Sequence, residues 1–246
     1  MNNNRTAYII IYMSLFFGIT SLLVFSAFLL VNPQSIVDIG LSETGKIFFN
    51  TFLSLLFFLQ HSIMIRNSFR KKAETFFNPV YYNAFFSIAS GIVLLITILF
   101  WQKSSLSLAT TTGIYCWIFY IFFFIAIAGF IWGSRALLLF DPFGIKKILY
   151  HLRGKQHNNI PFVINGPYKY VRHPLYFFML IMIWASPDLT PDRLLFNIIW
   201  TIWIYWGAKL EENDLVNEFG NKYQEYQKNV PMIFPFRCSL KKYKVN

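Results

Sequence analysis

Two short stretches carry the residue types best suited to chemistry. The first is Asn165-Gly166-Pro167-Tyr168-Lys169-Tyr170-Val171-Arg172-His173-Pro174-Leu175-Tyr176. Pro174 suits the first turn of a helix, where its missing N–H removes no hydrogen bond. The unpaired N–H groups of that turn lie at the positive end of the helix dipole. Arg172 and His173 directly precede it, so a carboxylate or phosphate can be held there. The second stretch is Glu211-Glu212, at the end of the last apolar run. Two adjacent carboxylates beside apolar surroundings are costly unless solvated or matched by a cation. Lys209 is one available partner. Alternatively, one carboxylate holds the cationic group of a ligand.

Together these stretches offer an anion site, a cation site and aromatic faces. An amino-acid-like cofactor with a purine ring satisfies all three, and the sulfonium of S-adenosylmethionine would be attracted by aromatic rings. A chloride channel or a lipid-binding module could use the same ingredients. Further along, Phe219, Tyr223 and Tyr226 follow helical spacing and are expected to pack one helix face onto the site. His61 sits near the end of an apolar run and joins His173 as a residue able to exchange protons near neutral pH. His61, His151, His157 and His173 lack metal-ligand spacing, so no metal is expected. Cys116 and Cys238 make neither a disulfide framework nor a metal cluster.

The elements that position these residues are membrane helices. The chain has 246 residues, of which 56% are hydrophobic and only 13% charged. A soluble domain carries roughly 25% charged residues, so lipid must be part of the solvent. Phe supplies 29 residues, in keeping with lipid-facing packing. A spanning helix needs ~20 apolar residues. Residues 8–31, 47–65, 81–101 and 113–140 qualify. The first of these is too long for a signal-peptide core and no A-x-A site follows, so it reads as a retained membrane helix. Two shorter runs, 175–187 and 194–208, flank the breaker-rich turn Pro187-Asp188-Leu189-Thr190-Pro191-Asp192 and predict a helical hairpin. The fold class is therefore all-α and polytopic, with about six membrane helices, the last two a hairpin, and a C-terminal cytoplasmic helix. Residues 1–140 form a four-helix membrane region and 141–246 the site-bearing region of one integrated domain.

Charge gives the orientation. Arg66, Arg70, Lys71 and Lys72 follow the second run. Lys146, Lys147, Arg153, Lys155, Lys169 and Arg172 follow the fourth, and the tail adds Lys222, Lys228, Arg237, Lys241, Lys242 and Lys244. The alternate connections are sparse. Six spans with both termini in the cytoplasm, in a bacterial inner membrane, put every basic segment on one side. The net charge of +11 then reflects loops near anionic lipid, and no nucleic-acid partner is expected. Residues 143–153 alternate apolar and basic positions and predict an interfacial helix. Gly129 and Gly133 form a GxxxG pattern that can pack helices within the chain or in an oligomer.

The segment Gly166-Pro167-Tyr168-Lys169-Tyr170-Val171-Arg172-His173-Pro174-Leu175-Tyr176, then Glu211-Glu212, then Phe219-Gly220 with Tyr223, Tyr226, Val230-Pro231 and Pro235, resembles the isoprenylcysteine carboxyl methyltransferase and phospholipid methyltransferase superfamily. Val31-Asn32-Pro33-Gln34-Ser35-Ile36, Gln60-His61-Ser62-Ile63-Met64 with Arg66 and Phe69, Phe100-Trp101-Gln102, Asp141-Pro142-Phe143-Gly144 and Pro231-Met232 are similar to the bacterial methanethiol S-methyltransferases within it. Pro142 departs from that pattern, which has Leu there. The resemblance implies methyl transfer from S-adenosylmethionine to a small thiol, methanethiol, giving dimethyl sulfide. It implies that Gly166, Pro167, Tyr168, Tyr170, Arg172, His173, Pro174, Glu211 and Glu212 bind the cofactor. His173, Arg172, Tyr176 and His61 are the candidate catalytic residues. Other acceptors within the superfamily are a prenylcysteine carboxylate, another thiol or a lipid amine. The sterol reductases share a similar C-terminal tail but use NADPH, and they carry basic or Arg-Asp pairs where this chain has Glu211-Glu212. A transporter is disfavoured by the lack of charges mid-membrane in the first four runs.

Overall fold

Apolar runs without interior proline satisfy their own backbone and become uninterrupted helices. The computed structural model describes residues 2–31, 35–137, 141–155 and 162–236. Asn32-Pro33-Gln34, His157, Arg237, Cys238, Lys241, Lys242 and Lys244 lie outside the described residues. The long helices are α1 (Asn2–Val31), α2 (Glu43–Ile65), α4 (Tyr82–Leu99), α5 (Ile114–Ala136) and α8 (Pro191–Phe219); the short ones are α3 (Asn67–Ala73), α6 (Ile145–Leu152), α7 (Pro174–Trp184) and α9 (Asn221–Asn229). The only described strands, β1 (Ala109–Thr110) and β2 (Asp188–Leu189), form one antiparallel pair. The chain is an all-α polytopic membrane protein. Four helical segments, Asn4–Val31, Glu43–Ile65, Pro79–Leu99 and Ile114–Ala136, are long and apolar enough to cross a membrane.

The chain divides into two compact units built from interleaved segments. The first comprises Met1–Thr111, Asp141–Asn159 and Asp188–Ile199; the second comprises Thr112–Phe140, Ile160–Pro187 and Trp200–Asn246. In the first unit α4 packs against both α1 and α2. Gly91 lets α4 approach α1 closely, since a Cβ there would lie 2.7 Å from the Phe17 carbonyl oxygen. Ala7, Ile10, Ile11, Ala84 and Ile148 form one buried cluster. Helix α6 starts where the Asp141 carboxylate accepts from the Ile145 and Lys146 amides at 3.0 and 2.8 Å. The sequence predicts α6 as an interfacial helix, yet Ile148 is fully buried between α1 and α4, so its apolar face is covered by protein.

The first turn of α8 carries buried charge. Asp192, the last residue of the breaker-rich stretch, and its neighbour Arg193 are both 0% exposed. Asp192 accepts from Trp101 Nε1 at 3.0 Å and from the Ser104 amide at 2.9 Å. Arg193 donates to the Leu29 carbonyl at 2.9 Å, satisfying an orphan acceptor at the end of α1. Nearby, Asn50 and Gln102 are buried and bond reciprocally: Gln102 N donates to Asn50 Oδ1 and Asn50 Nδ2 donates to Gln102 O.

In the second unit α5 packs against α7. Gly129 faces the ring of Phe178, and a Cβ on Gly133 would meet Leu175 Cδ2 at 2.8 Å. The GxxxG pattern thus serves packing inside the chain. Helix α7 has eleven residues, about 16 Å of rise, roughly half a hydrocarbon core; it cannot cross as a single helix. Helix α8 continues well past the apolar run 194–208, through Glu211-Glu212 to Phe219. Trp184 Nε1 donates to Thr201 Oγ1 at 3.0 Å, joining the two arms of the hairpin.

Candidate functional site

The site grows from the start of α7. Residues Gly166–Lys169 form a 3-10 turn, with Pro167 buried. Gly166 has a positive φ of 53°, and a Cβ there would press on Ala136 and Trp132 of α5. These two residues therefore seat the segment against α5. Pro174 is the first residue of α7, and His173 is its N-terminal cap position. From that position the chain holds Arg172 and His173 toward α8.

There the two acidic neighbours meet different surroundings. Glu212 is buried. Its Oε1 accepts from Arg172 Nε at 2.8 Å, His173 Nε2 at 2.7 Å and the Tyr223 hydroxyl at 2.8 Å. Its Oε2 accepts from Arg172 Nη2 at 2.7 Å and Gln227 Nε2 at 2.6 Å. Burial alone would raise its carboxyl pKa, but the bonds from His173, Arg172, Gln227 and Tyr223 outweigh it and hold the group well below the ordinary carboxylate range. Glu211 is 46% exposed. It accepts from the Tyr176 hydroxyl at 2.8 Å and stands 3.7 Å from His173 Nδ1. The His173 and Tyr176 rings stack at 5.4 Å with an interplanar angle of 18°.

A C-terminal clasp closes over this network. Gly220, with φ of 57°, ends α8 and turns the chain into α9. Phe219 and Tyr223 therefore lie on different helices, against the single spaced face the sequence predicts. They still meet one partner, since Phe162 contacts the rings of Phe219, Tyr223 and Tyr226. The Tyr226 hydroxyl donates to the Tyr168 carbonyl at 2.5 Å. Arg172 Nη1 donates to the carbonyls of Gln227 and Val230. The backbone N–H groups of Arg172 and His173 donate to the carbonyls of Pro231 and Met232, both at 2.9 Å. Burial pushes the Tyr223 and Tyr226 hydroxyl pKa values up, and the Glu212 charge adds to the effect at Tyr223.

Arg172, His173, Tyr176, Glu211 and Glu212 thus converge within the second unit. Tyr168 joins them electrostatically: burial first, and then the Glu211 charge, pushes its hydroxyl pKa up. Tyr170 is 55% exposed. His61 belongs to the first unit, on α2, where its ring lies 5.4 Å from Phe57 and 5.0 Å from Phe86. Lys209 does not take the role of counter-ion read from the sequence; its Nζ lies over the rings of Tyr205 and Trp206. Gln227 was not anticipated. Its spacing of four from Tyr223 puts both on one face of α9, which is the signal that points to it. Among the described residues no group of His, Cys, Asp and Glu could hold a metal ion.

The chain is 32% identical over 227 residues to methanethiol S-methyltransferase 1 of Bradyrhizobium diazoefficiens, covering 86% of this chain and 75% of that one. It is 33% identical over 205 residues to a methanethiol S-methyltransferase of Pseudomonas deceptionensis, covering 80% and 75%. A more distant relative, nurim of Rattus norvegicus, is 24% identical over 175 residues, covering 66% and 65%. No family profile matches the chain, and no solved structure matches it.

Proposed function

The chain belongs to the family of the methanethiol S-methyltransferases, and from that premise we propose that it methylates methanethiol with S-adenosylmethionine, releasing dimethyl sulfide. The supporting observation is the division of labour between adjacent carboxylates: Glu212 is buried under converging donors, while Glu211 stays half exposed beside His173 and Tyr176. This donor set fits S-adenosylmethionine. Glu211 offers a carboxylate to its amine, and the faces of Tyr168, His173 and Tyr176 suit a sulfonium. When bound, the cofactor supplies a methyl group activated by the sulfonium charge.

The chain's own residues do the rest. Arg172 and Glu212 lock each other and so fix His173 and the first turn of α7. His173 Nε2–H donates to Glu212, which leaves Nδ1 as the nitrogen free of that bond and able to accept the proton of a thiol. The thiolate is the nucleophile; its sulfur would gain the methyl group as the thiol proton passes to His173, and the electron pair of the broken methyl–sulfonium bond would stay with the donor sulfur, leaving S-adenosylhomocysteine. His173 is the base in this reading in preference to His61. Holding nucleophile and methyl in line can supply several orders of magnitude of rate. The basic loops favour a bacterial inner membrane with both termini in the cytoplasm.

The test supplies membranes bearing the chain with S-adenosylmethionine and methanethiol and measures headspace dimethyl sulfide. The parent is expected to form it. Glu211→Gln is expected to lose product formation while unfolding at the parent's temperature. Glu212→Gln is expected to lose both activity and about 3–5 kcal/mol of stability, because Arg172 is left buried without its counter-charge. A parent that binds S-adenosylmethionine but methylates only a prenylcysteine carboxylate, a larger thiol or a lipid amine keeps the reaction class and replaces the acceptor. A parent that binds NADPH and no S-adenosylmethionine overturns the reading.

A further inference from the structure

Residues 66–78 join the second membrane-spanning helix, Glu43–Ile65, to the third, Pro79–Leu99. Both ends of this arm are therefore fixed at one membrane surface. It contains α3, and it carries Arg66, Arg70, Lys71 and Lys72 against the single acid Glu74. Lys71 and Lys72 are exposed. Phe76 is 80% exposed and Phe69 38% exposed. The arm is anchored from below. Phe77 stacks on Tyr82 at 6.2 Å and packs edge-on against Phe85 at 5.2 Å. The Arg70 guanidinium lies 5.5 Å above the Tyr82 ring and pairs with Glu74 at 2.9 Å. Lys147 of α6 donates to the Pro79 carbonyl at 3.0 Å, which brings another cation to the same edge.

A largely exposed phenylalanine among lysines is unfavourable in water. It is favourable at headgroup depth, where the ring reaches the acyl boundary and ammonium groups meet phosphate. Helix α6, the element with the interfacial pattern, buries Ile148 inside the protein, whereas the arm leaves Phe76 and both lysines exposed. We propose that residues 66–78 are a docking surface for acidic phospholipid headgroups of the surrounding bilayer, with Lys71 and Lys72 on the phosphates and Phe76 seated at the acyl boundary.

The test equilibrates the purified full-length protein with detergent micelles containing equal phosphatidylcholine and phosphatidylglycerol. Retained lipid is then measured by mass spectrometry. Phosphatidylglycerol is expected to be enriched. Enrichment is expected to fall about fivefold for each charge removed in Lys71→Ala and Lys72→Ala. Both variants are expected to unfold at the parent's temperature in phosphatidylcholine alone, which separates lost binding from lost folding. Phe76→Ser is expected to lower retention of both lipids. Absence of enrichment in the parent, or enrichment unchanged in the lysine variants, overturns the proposal. So does displacement of the lipid by inorganic phosphate or by an acidic polymer at constant ionic strength, which would assign the surface to a free anion or to another macromolecule.

Discussion

Glu211 and Glu212 are neighbours in sequence but differ in physical state. The carboxyl of Glu212 is held below its ordinary pKa of 4.5 by donors that outweigh its burial. A depressed carboxyl stabilises the fold fully above the unfolded pKa and loses that contribution as pH falls through the folded one. The clasp is therefore expected to stay shut at neutral and mildly acid pH and to loosen progressively below the ordinary carboxylate range. Amide hydrogen exchange of residues 221–236, corrected for the intrinsic rate at each pH, checks this; protection already lost near neutrality contradicts it. At this scale the sequence was informative about residue type. Arg172, His173, Tyr176 and both glutamates were legible because prolines, titratable groups and paired acids are rare beside apolar runs. That Arg172 would answer Glu212, forty residues away, was not legible, because the pairing depends on how the hairpin and α9 fold back. Gln227 carries no charge and no special backbone, so only its helical spacing from Tyr223 hinted at it.

Among the elements, the contact between α5 and α7 depends on small residues. Gly129 faces Phe178 and Gly133 faces Leu175, so bulk on α5 must push away the helix that begins with the site. Gly129→Leu is expected to destabilise the second unit by about 1–3 kcal/mol through overpacking. Thermal unfolding measures that cost, and an unchanged midpoint would mean that Phe178 swings clear. The four long spans were legible because unbroken apolar runs have few other outcomes in lipid. The reach of α8 to Phe219 was not, since its last turns are polar and lack apolar periodicity. Nor was the break at Gly220 apparent, because the aromatic spacing from Phe219 to Tyr226 continues across it while the backbone does not.

At the scale of the described molecule, fully buried charge sits in the first turn of α8. Asp192 serves Trp101 and Ser104, while Arg193 serves the end of α1. Asp192→Ala strands two donors and is expected to cost about 3 kcal/mol, read as a lower unfolding temperature in phospholipid. A loss within a few tenths of a kcal/mol would mean that water reaches the turn and replaces the carboxylate. Their burial was not legible in a breaker-rich stretch, because it depends on the convergence of the Trp101 segment and the end of α1. The pairing of the Arg172 and His173 amides with Pro231 and Met232 also has a consequence in time. Synthesis delivers Arg172 and His173 first, Glu212 next, and the carbonyls that complete them among the last residues described. A nascent chain can thus settle its membrane helices well before it owns the finished network around Glu212. A ribosome that stops short of Tyr223 leaves the apolar helices complete but Glu212 without its Tyr223 and Gln227 donors.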